Sequence, residues 1–105
     1  MDNIQLELWK NLNEENSLIQ VQEYIKKVIE LREFSEQNIE KTMLLLTEEV
    51  GELAKAIRKD KTSMSIDRLK IKNYDTIESE VADVFIVLCS ICNKLNIDLF
   101  SSLKD

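Results

Sequence analysis

The sequence predicts an all-α fold, an antiparallel helix bundle that is completed by oligomerisation. Proline is absent and glycine occurs once, whereas turn-rich β folds depend on both residue types. Hydrophobic residues make up 44% of the chain, and they recur mostly at intervals of three or four residues, as in amphipathic helices. A length of 105 residues gives room for one domain, so residues 1–105 are expected to form a single unit.

The first 34 residues divide into an arm and a helix. Residues 1–15 form the arm, in which apolar residues are scattered among acids and amides. Ser17 is a candidate N-cap for the first long helix, because apolar residues follow it at helical spacing. We expect that helix to end near Phe34.

A second long helix is predicted over residues 38–59, where the apolar period is sustained. The period then breaks over about 60–74, a lysine-rich connection with a helical turn around 66–71. Asp75 followed by Glu78 resembles a capping box, which would start a third helix.

The third helix is expected to end at about Leu95, and a short terminal helix then starts at Asn96 or Asp98 and runs to Leu103. Cys89 and Cys92 fall in the apolar part of the third helix. Their spacing of three favours two buried thiols over a redox or zinc site.

Charge and composition exclude several functions. The chain has no histidine, which removes Ser-His triads and Glu-x-x-His ligand sets. Its net charge of −6 repels nucleic-acid backbones and anionic lipids, so we expect neither a polymeric nucleic acid nor a membrane as partner. The N-terminus lacks the pattern of a signal peptide, and no apolar run approaches the roughly 18 to 20 residues of a membrane span. A cytoplasmic protein is expected.

Acidic residues on the second helix occupy an unusual position. At about 100° per residue, Glu49 falls within the apolar stripe, with Glu52 at its edge and Glu48 just beyond it. Burying an ionised carboxylate without a partner costs several kcal/mol, as a rough figure. The pattern therefore predicts a positive partner near Glu49.

The third helix shows the same anomaly. Apolar residues surround Asp83 over most of the circumference, and Glu80 lies one turn before it on a narrow polar strip. A helix of this kind belongs in a core or an oligomer interface. If the two strips face each other, the converging carboxylates favour Mg²⁺ or Mn²⁺, and Mg²⁺ held in this way commonly handles substrate phosphates. The alternative is that Glu48 and Glu52 belong to a solvated face and that Glu80 pairs with Lys94 or Arg58.

The sequence Glu48-Glu49-Val50-Gly51-Glu52-Leu53, followed by Glu80-Val81-Ala82-Asp83, resembles the signature of the MazG-like nucleotide pyrophosphohydrolases, an all-α superfamily. The resemblance extends from about Leu18 to Phe100. It implies a helix bundle that assembles into a homodimer or homotetramer. It also implies Mg²⁺-dependent cleavage of a nucleoside triphosphate to the monophosphate and pyrophosphate, with Mn²⁺ as a substitute ion.

By this resemblance the metal ligands are Glu49, Glu52, Glu80 and Asp83. Glu48 would bind a further Mg²⁺ or orient the attacking water, and Glu48 and Glu49 are therefore the candidate catalytic residues.

Substrate-binding candidates follow from charge and position. Lys61 and Arg68 belong to the basic connection, which would hold phosphates or is simply a solvated loop. Lys94 lies on the acidic strip and would meet a phosphate, or it is a cation favoured by the helix C-terminus. Asn93 would contact the sugar or base. Trp9 would stack on a base, or it packs the arm against the bundle.

Two other functions remain open at this stage. A non-catalytic helical module would use the same acids to hold a metal, a nucleotide or a partner helix. An inert structural oligomer would not use these acids to bind anything. Gly51, in the middle of a predicted helix, suggests close approach of another helix.

Overall fold

A computed structural model describes residues 3–32, 37–61 and 76–105 of the chain. All regular structure in these ranges is helical, which confirms the predicted all-α class. The helices are α1 (Asn3–Asn11), α2 (Leu18–Leu31), α3 (Ile39–Lys61), α4 (Ile77–Lys94) and α5 (Leu99–Lys104). Within these ranges, none of the helices combines the length and the apolar character needed to cross a bilayer.

The N-terminal arm contains the helix α1, which packs against α2. Ser17 caps α2 as predicted: its side chain accepts a hydrogen bond from the Gln20 backbone N–H at 3.2 Å. The Gln20 side chain in turn accepts from the Ser17 backbone N–H at 2.7 Å, which completes a capping box. The helix ends at Leu31, and the predicted end near Phe34 lies outside the described residues.

The helices α3 and α4 form an antiparallel hairpin with the most extensive helix packing in the described chain. Its register follows from contacts at both ends. Lys94, at the end of α4, donates a hydrogen bond from Nζ to the carbonyl oxygen of Gln37, just before α3, at 2.6 Å. Glu49, further along α3, meets Glu80 near the start of α4. The connection predicted at about 60–74 lies largely outside the described residues.

The start of α4 differs from the prediction by one residue. Thr76 is the N-cap, and its side chain accepts from the Ser79 backbone N–H at 3.1 Å. Asp75, the predicted cap, lies outside the described residues. A threonine hydroxyl can accept from the N–H three residues on, as an aspartate carboxylate at an N-cap does.

The corner between α4 and α5 is built from backbone hydrogen bonds. Asn96 adopts a left-handed conformation with φ of 56°, which asparagine tolerates better than most residues. The Ile97 N–H donates to the Cys92 carbonyl at 2.8 Å, the hydrogen bond of a Schellman motif. Asp98 then caps α5 by accepting from the backbone N–H groups of Phe100 and Ser101.

A buried amide joins α2 to this corner. Gln22, which is 8% exposed, donates from Nε2 to Asn93 Oδ1 at 2.9 Å and to the Ile97 carbonyl at 2.7 Å. Its Oε1 accepts from the Leu99 N–H at 3.1 Å. Gln22 lies near the start of α2, and Asn93 lies at the end of α4. The two helices therefore also run antiparallel.

The core of the described chain is small and centres on α4. Its buried hydrophobic residues are Ile25, Ala56, Val87, Cys89, Ile91 and Cys92. Both thiols are buried, as predicted. Many large apolar side chains of α3 and α4 are exposed instead, so a single copy leaves much of its apolar surface in contact with water.

Candidate metal centre

Three carboxylates from two helices meet in the α3–α4 hairpin. Glu49 lies in the middle of α3, and Glu80 and Asp83 lie in the first two turns of α4. The antiparallel packing of the hairpin brings the middle of α3 opposite the start of α4. Two segments far apart in the sequence therefore contribute to one site.

The three side chains lie close enough to share one ion. One carboxylate oxygen from each residue can be chosen so that all three lie within 4.8 Å of one another. Glu80 is buried, with 4% of its surface exposed, whereas Glu49 and Asp83 are half-buried. We refer to Glu49, Glu80 and Asp83 as the carboxylate cluster.

The electrostatics of the cluster favour a cation. Three carboxylates at this separation repel one another, and partial burial strengthens that repulsion. The positive end of the α4 dipole offsets part of it, because Glu80 and Asp83 lie close to the helix N-terminus. A hard divalent cation would offset far more.

The donor set fits the ions expected from the sequence. All three candidate ligand atoms are carboxylate oxygens, which suit Mg²⁺ or Mn²⁺ and not the softer zinc or copper ions. A few carboxylates from the protein, with the remaining positions left to water and substrate, is the usual arrangement for Mg²⁺ at phosphate sites. The residues present therefore fit the implied ion.

Glu52, the fourth predicted ligand, lies outside the carboxylate cluster. Its side chain is 51% exposed and forms an ion pair with Lys55 at 3.6 Å on the surface of α3. Glu48 is also exposed. The structure thus brings together three of the predicted acids and leaves these two at the edge.

Asn93 and Lys94 are engaged in packing between helices. Asn93 bonds through both ends of its amide, since Oδ1 accepts from Gln22 and Nδ2 donates to the Gln22 carbonyl at 3.3 Å. Lys94 donates to the carbonyl of Gln37. Ten residues of helix separate Asp83 from Asn93, about 15 Å along the axis. The contacts of Asn93 and Lys94 with substrate stay predictions.

The basic candidate Lys61 lies at the other end of the hairpin from Asn93 and Lys94. Lys61 is exposed at the last residue of α3. Arg68 lies outside the described residues. Trp9 is 56% exposed on α1, so its side chain is only partly packed.

Sequence reasoning missed the two glutamines that hold Asn93 and Lys94. Gln22 carried a signal, because it lies four residues after Leu18 and three before Ile25, on the apolar side of α2. Polar residues on such a face are generally hydrogen-bonded. Gln37 contributes through its backbone carbonyl, for which the sequence has no signal.

Comparison with known proteins identifies a family for about two thirds of the chain. The family model described as the MazG nucleotide pyrophosphohydrolase domain matches residues 37–105, the part of the chain that contains α3, α4 and α5. Searches of curated proteins and of solved structures found no significant match.

Proposed function

Because the chain belongs to the MazG nucleotide pyrophosphohydrolase domain family, we propose that it hydrolyses nucleoside triphosphates to monophosphates and pyrophosphate. The carboxylate cluster is the observation that carries this proposal. A triphosphate and a set of acids repel each other, so a substrate of this charge reaches the cluster only with a divalent cation between them.

In this proposal Glu49, Glu80 and Asp83 hold the ion, which is Mg²⁺, or Mn²⁺ as a substitute. Glu52 completes the set when its carboxylate leaves Lys55, since it lies about one turn from Glu49 on α3. When bound, the ion would neutralise charge on the triphosphate and activate water as a Lewis acid.

The remaining steps belong to residues around the cluster. Glu48, exposed beside Glu49, orients the attacking water and takes its proton. The water oxygen bonds to the α-phosphorus, and the bond from that phosphorus to the oxygen bridging to the β-phosphate breaks. Pyrophosphate leaves with the bridging oxygen. No covalent intermediate with the protein is formed.

Positioning of the substrate completes the proposal. Lys61 and Arg68 hold the departing phosphates, and Lys94 and Asn93 contact the nucleotide if they exchange their present hydrogen bonds. The bundle is completed by further copies of the chain, as a homodimer or homotetramer. The exposed apolar side chains of α3 and α4 support this assembly.

The direct test is a product assay. The purified chain is incubated with each common ribonucleoside and deoxyribonucleoside triphosphate in the presence of Mg²⁺. We expect a monophosphate and pyrophosphate in equal amounts. Release of orthophosphate with a diphosphate would instead mean cleavage at the γ-phosphorus.

Matched variants connect the activity to the site. Asp83→Asn keeps the size of the side chain and removes one charge from the cluster, so it should abolish turnover. Glu78→Gln makes a comparable change in the first turn of α4, on an exposed residue outside the cluster, and should retain most of the activity. If no triphosphate is cleaved although Mg²⁺ binds, the chain is a binding module and the proposal fails.

A further inference from the structure

A cavity of about 90 Å³ lies where α2, α3 and α4 meet. Its lining includes Ile29 of α2, Thr42 and Leu45 of α3, and Val87 and Ser90 of α4. None of the residues that line it is charged. The cavity therefore suits a neutral and largely apolar group better than a phosphate or an ion.

The cavity adjoins the carboxylate cluster along the interface of α3 and α4. Leu45 lies four residues before Glu49, and Val87 lies four residues after Asp83. Each is thus displaced from its acid by about 6 Å along the helix and by about 40° around it. Because the two helices are antiparallel, both displacements lead in the same direction, away from Lys61 at the end of α3.

This position suits the nucleoside part of a nucleotide whose α-phosphate lies at the cluster. The departing phosphates would extend towards Lys61, so the sugar and the base extend in the opposite direction. The sugar separates the base from the α-phosphate by several ångströms. Leu45 and Thr42 lie about 6 and 10 Å along α3 from Glu49, which places the cavity at the level of the base.

The size of the cavity restricts which base can enter. A cavity of about 150 Å³ accommodates one benzene ring. The cavity between the three helices is smaller, at about 90 Å³, and its wall residue Val87 is buried in the core. It admits the edge of a single ring, whereas the fused rings of a purine would have to push the helices apart.

The hydroxyl of Ser90 offers a polar contact inside the cavity. Helical serine and threonine hydroxyls often bond to a carbonyl one turn back, and those of Thr42, Thr47 and Ser79 do so. Ser90 is half-buried, and within the described ranges its hydroxyl forms no such bond. It can therefore donate to a ring carbonyl, which every common pyrimidine base carries.

On the basis of the hydrolysis proposed above, we propose that this cavity receives the edge of a pyrimidine base and that Ser90 donates a hydrogen bond to its carbonyl oxygen. Pyrimidine nucleoside triphosphates are then the preferred substrates, and Ser90 is a specificity-determining residue.

Isothermal titration calorimetry of the full chain with Mg²⁺ tests this preference. The ligands are the α,β-imido analogues of dTTP and dATP, which share one sugar and resist cleavage between the α- and β-phosphorus. The wild type should bind the pyrimidine analogue at least about tenfold more tightly. Ser90→Ala keeps the space and removes the hydroxyl, so it should weaken binding of that analogue by about three- to tenfold. Ser90→Leu fills the cavity and should abolish the preference.

Ser101→Leu is the matched control, since Ser101 is exposed on α5 and does not line the cavity. It should change neither affinity. Inorganic triphosphate, which has no base, should bind the wild type and both Ser90 variants equally and so show that the carboxylate cluster is intact.

Equal affinity of the wild type for the two analogues overturns the proposal, as does binding of neither. A preference that both Ser90 variants retain also overturns it. Because the titration measures binding, a pyrimidine preference can hold although the product assay finds no cleavage, and cleavage can occur without any preference. Failure of the cavity and failure of the hydrolysis are therefore distinguishable.

Discussion

A carboxylate oxygen of Glu49 on α3 lies within 4.8 Å of one from Glu80 on α4, although the two residues are far apart in the sequence. Asp83 joins them within the same distance. Each helix therefore contributes acids that neither helix could bring together alone. The stability of this pairing should depend on divalent cations.

Without divalent ions, Asp83→Asn should raise the free energy of unfolding by roughly 1 kcal/mol, which corresponds to a melting temperature higher by a few degrees. The variant removes one of three mutually repelling charges. The same variant should lose the increase in melting temperature that Mg²⁺ gives the wild type, because a ligand that binds the folded state stabilises it. Thermal scans with chelator and with a Mg²⁺ series measure both effects.

The control for this prediction is Glu78→Gln on the exposed side of the same helix. It should retain the response to Mg²⁺. An equal loss of the response in both variants would show that net charge, and not the carboxylate cluster, determines the effect.

Lys55→Ala should tighten Mg²⁺ binding by about two- to fivefold. Lys55 holds Glu52 in an ion pair at 3.6 Å, and loss of the lysine releases that carboxylate towards the cluster. An exposed ion pair is weak, so the gain should be modest. Isothermal titration calorimetry measures the affinity.

Lys41→Ala removes the same charge from the exposed start of α3 and controls for net charge. If both lysine variants tighten binding equally, Glu52 is not a ligand. If Glu52→Ala leaves the affinity for Mg²⁺ unchanged, the site consists of the three clustered acids only.

Gln22→Leu should destabilise the fold by about 2 to 3 kcal/mol. The substitution leaves the Leu99 N–H, the Ile97 carbonyl and the Asn93 Oδ1 without the bonds that the Gln22 side chain provides in a nearly buried position. Urea unfolding measures the change. Glu23→Leu, at the exposed neighbouring position, should change the free energy of unfolding by less than about 0.5 kcal/mol.

Burial raises the pKa of the Cys89 thiol to about 11, and the neighbouring Cys92 contributes further. The folded state then binds the proton more tightly than the unfolded state, whose thiol titrates near 9.0. The resulting stabilisation is complete below pH 9 and is lost as the pH rises through about 11. A shift of this size corresponds to about 3 kcal/mol.

Unfolding by urea between pH 8 and pH 11 tests this linkage. The wild type should lose more stability across that range than Cys89→Ala, which has no thiol at this position. Since both proteins share the other titrating groups, the difference between their slopes isolates Cys89. Parallel slopes would contradict the prediction.

The sequence predicts the helices well because their signals are local. Apolar spacing located α2, α3 and α4, and the side chain of Ser17 identified the start of α2. The predicted start of α4 was wrong by one residue, because Asp75 and Thr76 are both residue types that favour an N-cap and the sequence alone does not select between them.

The site is harder to predict because it depends on the register between helices. Helical angles indicated that Glu49 and Asp83 point inwards, and the structure places both in the cluster. They did not show that Glu52 lies on the surface beside Lys55, since one turn of helix separates a cluster position from an exposed one. Nor did they indicate that Asn93 bonds to α2, because that contact joins distant segments.

Gly51→Ala should raise the free energy of unfolding by about 1 kcal/mol, the usual gain for this change inside a helix. The expected close approach of another helix is not found in the described chain: a Cβ atom at Gly51 would meet nothing within 4 Å. Urea unfolding combined with sedimentation measures stability and association together. A destabilised variant that also associates more weakly would show that a second chain contacts Gly51 closely.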